Sequence, residues 1–145
     1  MRSSKSPVIY WLREDFRIHD NLALTEAAKN NKNLLLIYFS NYLDKQPGSA
    51  EEVWINNSFL EITKKYHEIY GLNVQCYDGD PIQCLEDLHK NFGISEIYIN
   101  EVFDPRTKKK DDKIKKHFTD QIIFKTYNSH LLFNPEEIKN NAGSY

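Results

Sequence analysis

The sequence predicts an α/β fold built around a five-stranded, mostly parallel sheet. Three observations predict it. Short apolar runs rich in β-branched and aromatic residues alternate five times with stretches of helical character. The runs at 7–12 and 34–39 lack the polar alternation of a half-exposed strand, as expected for strands covered on both faces. Alternation of this kind is the βαβ pattern, whose right-handed crossovers build a parallel sheet.

Each element has local grounds. Residues 7–12, PVIYWL, form the first strand, followed by the polar loop REDFRIHD. Asp20 is the expected N-cap of a helix over 21–30, with Leu22, Leu24, Ala27 and Ala28 near one side. Residues 34–39 are the second strand. The longest helix spans 50–70, with Val53, Trp54, Phe59, Leu60, Ile62, Tyr66 and Ile69 at roughly helical spacing and Gly71 as its stop. Residues 73–77 are the third strand. Asp80 followed by Pro81 starts a helix carrying Ile82, Leu85, Leu88 and Phe92, which ends at Gly93. The fourth strand is 95–99, a very polar helix covers about 105–118, and the fifth strand is 121–126. The domain is expected over 1–128. Residues 129–145 read as the start of a linker, in which Leu131, Leu132, Phe133 and Ile138 could pack back on the domain or on a missing partner.

Composition narrows the function classes. A chain of 145 residues, 40% apolar and with a formal charge of −2, holds one core and one domain. Five glycines and five prolines argue against disorder and fibrous repeats. Cys76, expected in a buried strand, and Cys84, expected on the inner side of a helix, match neither a disulfide framework nor a metal pattern. Free thiols point to a cytoplasmic setting. No run approaches the roughly eighteen apolar residues of a membrane span, and the N-terminus lacks a signal peptide's apolar stretch. The near-neutral charge gives no global electrostatic argument for nucleic acid.

In such a sheet, ligands bind outside the carboxyl ends of the strands, where strand order reverses. Here those ends are Trp11–Asp15, Phe39–Leu43, Tyr77–Asp80 and Asn100–Arg106, a mixed aromatic and charged rim suited to a flat conjugated ligand. GxGxxG, P-loop, GxSxG and HExxH patterns are missing, which speaks against an unrelated nucleotide-binding or hydrolytic α/β protein. The five histidines show no ligand spacing, so no metal site is predicted. The loop from Arg13 to Asn21 fits either a salt-bridge network that shapes the loop or an arginine touching a ligand, and the sequence does not separate the two. From Arg106 to Lys116 there are seven basic and two acidic residues. A solvated face is the favoured reading over a phosphate-binding surface, because aromatic residues that would stack bases are few.

These residues also carry a resemblance. Trp11-Leu12-Arg13-Glu14-Asp15-Phe16-Arg17-Ile18-His19-Asp20-Asn21, then Ala23-Leu24, resembles the opening motif of DNA photolyases and cryptochromes. Gly79-Asp80-Pro81, Ile99-Asn100-Glu101 with Asp104-Pro105, His130-Leu131-Leu132 with Pro135, and Gly143-Ser144-Tyr145 follow in the family's order. The likeness covers nearly the whole chain. It implies a Rossmann-like three-layer sandwich with strand order 3-2-1-4-5, the N-terminal antenna domain that holds a light-harvesting chromophore (a folate, a deazaflavin or FMN) and passes excitation to FAD for light-driven pyrimidine-dimer repair.

In that family FAD, the electron-relay tryptophans and the DNA groove belong to a helical domain, expected here to be absent or separate. The domain alone is thus expected neither to repair DNA, as the parent lyase does, nor to bind it. The resemblance and the strand-end positions nominate Trp11, Arg13, Phe39, Asp104 and Lys109 as cofactor-binding residues; no catalytic residue is nominated. Arg106-Thr107 stand where folate-binding members carry Asn-Glu, and Ser40 near where deazaflavin-binding members carry Asp. The alternative is a ligandless folded remnant or interaction module of the same fold. Loss of a covering domain implies self-association.

Overall fold

The computed structural model describes residues 6–13, 21–30, 33–40, 42, 48–102 and 104–128. Its elements are β1 (Val8–Leu12), α1 (Leu22–Asn30), β2 (Leu34–Phe39), α2 (Ala50–Tyr70), β3 (Val74–Tyr77), α3 (Pro81–Phe92), β4 (Glu96–Asn100), α4 (Pro105–His117) and β5 (Ile123–Tyr127). The strands lie in the order β3-β2-β1-β4-β5 and every neighbouring pair is parallel. Both the α/β class and the order expected from the sequence are therefore found.

Burial explains the strand sequences. All five residues of β1 are buried, because the central strand of a parallel sheet is covered on both faces. Alternate residues feed two cores. Ile9, Trp11, Ile37 and Phe39 pack with Leu85 and Leu88 of α3 and Ile114 of α4 on one face. Val8, Tyr10, Leu12, Leu36 and Tyr38 pack with Ala23, Leu24 and Ala27 of α1 and Ile62 and Tyr66 of α2 on the other. The chain runs from β1 outward to β3, then returns to β4 on the far side of β1. The carboxyl ends of β1 and β4 therefore flank the switch in strand order.

The helix ends follow local chemistry. Asp80 and Asp104 cap α3 and α4 through Ile82 N and Thr107 N, each with proline in the first turn. Ser49 caps α2, and Gly71 ends it at φ 66°, a left-handed conformation that glycine adopts without steric cost.

Several expectations change. The cap of α1 is Asn21, whose Oδ1 accepts from Leu24 N, one residue later than the expected Asp20. Residues 14–20 and the expected linker at 129–145 lie outside the described residues. The apolar residues of α2 fall on two faces: Ile55, Ile62 and Tyr66 are buried, whereas Val53, Trp54, Leu60 and Ile69 are exposed. Phe92 is exposed as well, at the last position of α3. Cys76 sits in a strand as expected but is exposed, because β3 is an edge strand; Cys84 is half-buried against the α3 core.

Candidate functional site

The carboxyl ends of β1, β2 and β4 converge with the inner side of α4 on one buried polar cluster. Arg13 follows β1 directly. Its Nη1 donates to both carboxylate oxygens of Asp111, at 2.7 and 2.8 Å, and its Nη2 donates to the Asn100 carbonyl oxygen at 2.7 Å. Arg13 thus bridges the ends of β1 and β4 and fastens α4 above them. Both partners are buried, and the guanidinium is oriented by Nη1 reaching both oxygens of Asp111 while Nη2 reaches a backbone carbonyl.

Tyr42, beyond the end of β2, donates its hydroxyl to Asp111 Oδ1 at 2.5 Å, and Lys110 Nζ donates to the Tyr42 carbonyl oxygen at 2.9 Å. Burial, and then the hydrogen bond to the Asp111 carboxylate, push the Tyr42 phenol well above its ordinary value. It stays neutral and remains a donor across the physiological range.

Aromatic rings floor the cluster. The Trp11 ring lies edge-on to Phe39 at 5.1 Å and to Tyr42 at 4.9 Å, with the Arg13 guanidinium 5.0 Å from its centroid. Trp11 is 1% exposed, yet its Nε1 has no hydrogen-bond acceptor among the described residues. A buried indole N–H left without an acceptor is costly and calls for a reason.

A second network lies behind the first. Asn100 Nδ2 donates to Asn21 Oδ1 at 2.7 Å, Asn100 Oδ1 accepts from Ala23 N at 3.1 Å, and Asn21 Nδ2 donates to the Tyr10 hydroxyl at 2.7 Å. Asn100 joins the two: its side chain holds the start of α1 while its carbonyl receives Arg13.

Of the residues nominated from the sequence, Trp11, Arg13 and Phe39 are brought together. Asp104 is exposed and accepts from Thr107 N and Oγ1, bonds that hold its carboxyl below the usual carboxylate range. Lys109 is exposed on α4. Arg13 pairs with Asp111, a distant partner on α4, whereas the loop network expected from the sequence involves residues 14, 15 and 20, which lie outside the described residues. Tyr42, Asp111 and the Asn21–Asn100 pair were not nominated as site residues, although Asn21 and Asn100 lie in the motifs that carry the resemblance. Asp111 had a signal: with Thr107 and Ile114 it marks the one inward face of a lysine-rich helix.

A groove of about 520 Å³ lies elsewhere, beside β3, between Leu35, Gln75, Tyr77, Leu88 and Phe92. It opens near the amino ends of β1 and β2, away from the switch in strand order, so the polar cluster is the better candidate site.

Comparison with known proteins gives a consistent answer. Residues 8–145 match the family described as DNA photolyase. The chain is 26% identical over 144 residues to a deoxyribodipyrimidine photo-lyase of Agrobacterium fabrum, covering 99% of this chain and 30% of that protein. It is 27% identical over 138 residues to cryptochrome-1 of Arabidopsis thaliana, covering 93% of this chain and 20% of that one. Among solved structures it superposes on a bacterial class III photolyase from Agrobacterium tumefaciens with a TM-score of 0.86 at 26% identity, covering 99% of this chain and 30% of the other. An archaeal photolyase from Sulfolobus tokodaii, described with two FAD molecules and an implied light-harvesting cofactor, shares the fold at a TM-score of 0.76 and 23% identity, covering 92% of this chain and 32% of that protein. The chain therefore spans about a third or less of each of these relatives.

Proposed function

The chain belongs to the DNA photolyase family, and from that premise we propose that it is the antenna part of a photolyase-like protein. In this reading it holds a flat, light-absorbing chromophore at the carboxyl ends of β1 and β2. The observation that carries the reading is the buried Trp11 Nε1 without an acceptor among the described residues, next to Phe39 and Tyr42 at the carboxyl ends of β1 and β2. Folates, deazaflavins and flavins all present ring carbonyl oxygens beside a conjugated surface. Such a group would supply what the described residues do not, an acceptor for the indole donor. The S. tokodaii relative, described with two flavins, supports a flavin among the candidates.

The chromophore, when bound, absorbs light and passes excitation onward. The work of the protein is to hold it. Trp11 offers the donor, and Phe39 and Tyr42 offer ring surface. Arg13 keeps Trp11 in place through its stacking and its lock on Asp111. Excitation would go to FAD in a helical domain of the kind the resemblance implies, which would be the partner in dimer repair.

The same cluster favours a second reading. Trp11, Phe39 and Tyr42 are already packed against one another and Arg13 is already paired, as a ligandless remnant or interaction module would require. Incubation with a methenyl-folate, a deazaflavin and FMN, followed by desalting and a near-ultraviolet and blue absorption spectrum, separates the two. The antenna reading expects one retained band at one-to-one stoichiometry. A folded sample that retains none of the three supports the ligandless reading.

A further inference from the structure

Charge on this chain is segregated. Helix α4 carries seven basic and two acidic residues, a formal +5, while the rest of the chain carries twelve basic and nineteen acidic, a formal −7. The structure sharpens the separation. Thr107, Asp111 and Ile114 face inward, and Asp111 is consumed by Arg13. Asp112 is thus the one exposed carboxylate within α4.

The outward side follows from spacing. Arg106, Lys109, Lys113 and Lys116 succeed one another at intervals of three, four and three residues, so they share one side of the helix opposite the buried one. At 1.5 Å of rise per residue the stripe is about 15 Å long. All four are exposed, and none makes an ion pair among the described residues. Like charges at these spacings destabilise a helix by about 0.2–0.5 kcal/mol per pair. Helix α2 shows the usual alternative, both signs intermixed and a Glu61–Lys65 pair at 3.3 Å.

We propose that the Arg106–Lys109–Lys113–Lys116 stripe of α4 binds the phosphodiester backbone of nucleic acid without regard to base sequence. The surface requires neither a bound chromophore nor the lesion-binding groove that the family resemblance assigns to another domain. A row of cations matches a row of phosphates, and lysine acts on phosphate as a point charge. The stripe holds no aromatic ring on which a base could stack and no Asn or Gln to read adenine, the scarcity that favours a solvated face in the sequence. What its exposed one-sided row of cations retains is contact with phosphates. A membrane is the poorer partner, because the inward face of α4 is used up on the sheet and leaves nothing apolar to insert. An acidic protein surface is also poorer, because the stripe lacks the aromatic anchors on which protein interfaces depend.

The test is fluorescence anisotropy of the whole chain with a labelled random-sequence duplex across a salt series. Four phosphate contacts predict a slope of log K against log salt of about −3.6, a fall of roughly 150-fold between about 25 and 100 mM salt. Replacing Lys109, Lys113 and Lys116 together by Gln should flatten the slope to about −0.9. The control replaces the exposed Lys64, Lys65 and Lys90 by Gln, the same change in net charge, and should keep the wild-type slope. Four outcomes would overturn the proposal: no binding at low salt, a stripe variant with the wild-type slope, an equal loss in the control, or equal binding through the same lysines to phosphatidylserine vesicles.

Discussion

Arg13 and Asp111 stand 98 positions apart in sequence and meet through two hydrogen bonds of 2.7 and 2.8 Å, both side chains buried. The pair closes the crevice between β1 and β4 and fixes α4 against the sheet. Removing one partner of a buried ion pair strands the other charge, at a cost of about 3–5 kcal/mol. Asp111→Ala should therefore lower the unfolding free energy by about that amount in urea titrations, and Asp111→Asn by less. A loss under about 1 kcal/mol would mean that the pair does not hold α4.

Tyr42 makes the alkaline limb of stability testable. Its phenol pKa is raised in the folded chain by burial and by Asp111, above the ordinary value of 10.0. Above that ordinary value the unfolded chain releases the proton while the folded chain keeps it. The contribution of Tyr42 is therefore complete below about pH 10 and is lost as pH rises beyond it. The urea midpoint should fall between pH 9 and 11 more steeply in wild type than in Tyr42→Phe. That variant should also lose about 1–2 kcal/mol at neutral pH, since a buried carboxylate loses a donor. Parallel pH curves for the two proteins would contradict this.

The Asn21–Asn100 pair couples the start of α1 to the end of β4. Single Ala substitutions at the two positions should not add: a double-mutant cycle should show coupling of about 0.5–3 kcal/mol. Strict additivity would show that the two asparagines act separately.

The cysteines should differ in reactivity. Cys76 is exposed, whereas Cys84 is half-buried and its thiol is pushed up to about 11 by burial and the nearby Asp87. A thiol reagent near pH 8 should modify Cys76 first, and Cys76→Ser should remove the fast phase. A fast phase that survives in Cys76→Ser would place the reactive thiol at Cys84.

The sheet was legible in the sequence because a parallel sheet buries whole strands, and runs such as VIYWL and LLLIYF state that burial directly. The α3 cap was legible because Asp80-Pro81 is a local signal. Exposure was less so. Val53 and Leu60 lie seven residues apart, a helical repeat, but on the side of α2 away from Ile55 and Ile62, and periodicity does not say which stripe meets the sheet. Cys76 read as buried because an edge strand carries the same residue types as a central one until its neighbours are known. Trp11, Arg13 and Phe39 could be placed together because strand ends are legible in the sequence. Tyr42 and Asp111 were missed because the contacts that bring them to the site, Tyr42 with Trp11 and Asp111 with Arg13, span long stretches of chain.

The antenna claim rests most on the Trp11 donor. Its most direct test is an equilibrium titration of the chromophore that the desalted domain retains, into wild type and into Trp11→Phe, with circular dichroism to confirm that both are folded. Loss of one donor to a ring carbonyl, worth about 1–1.5 kcal/mol, predicts roughly a tenfold weaker Kd in the variant. Equal affinity in two folded proteins, or no binding by wild type to folate, deazaflavin or FMN, would contradict the account.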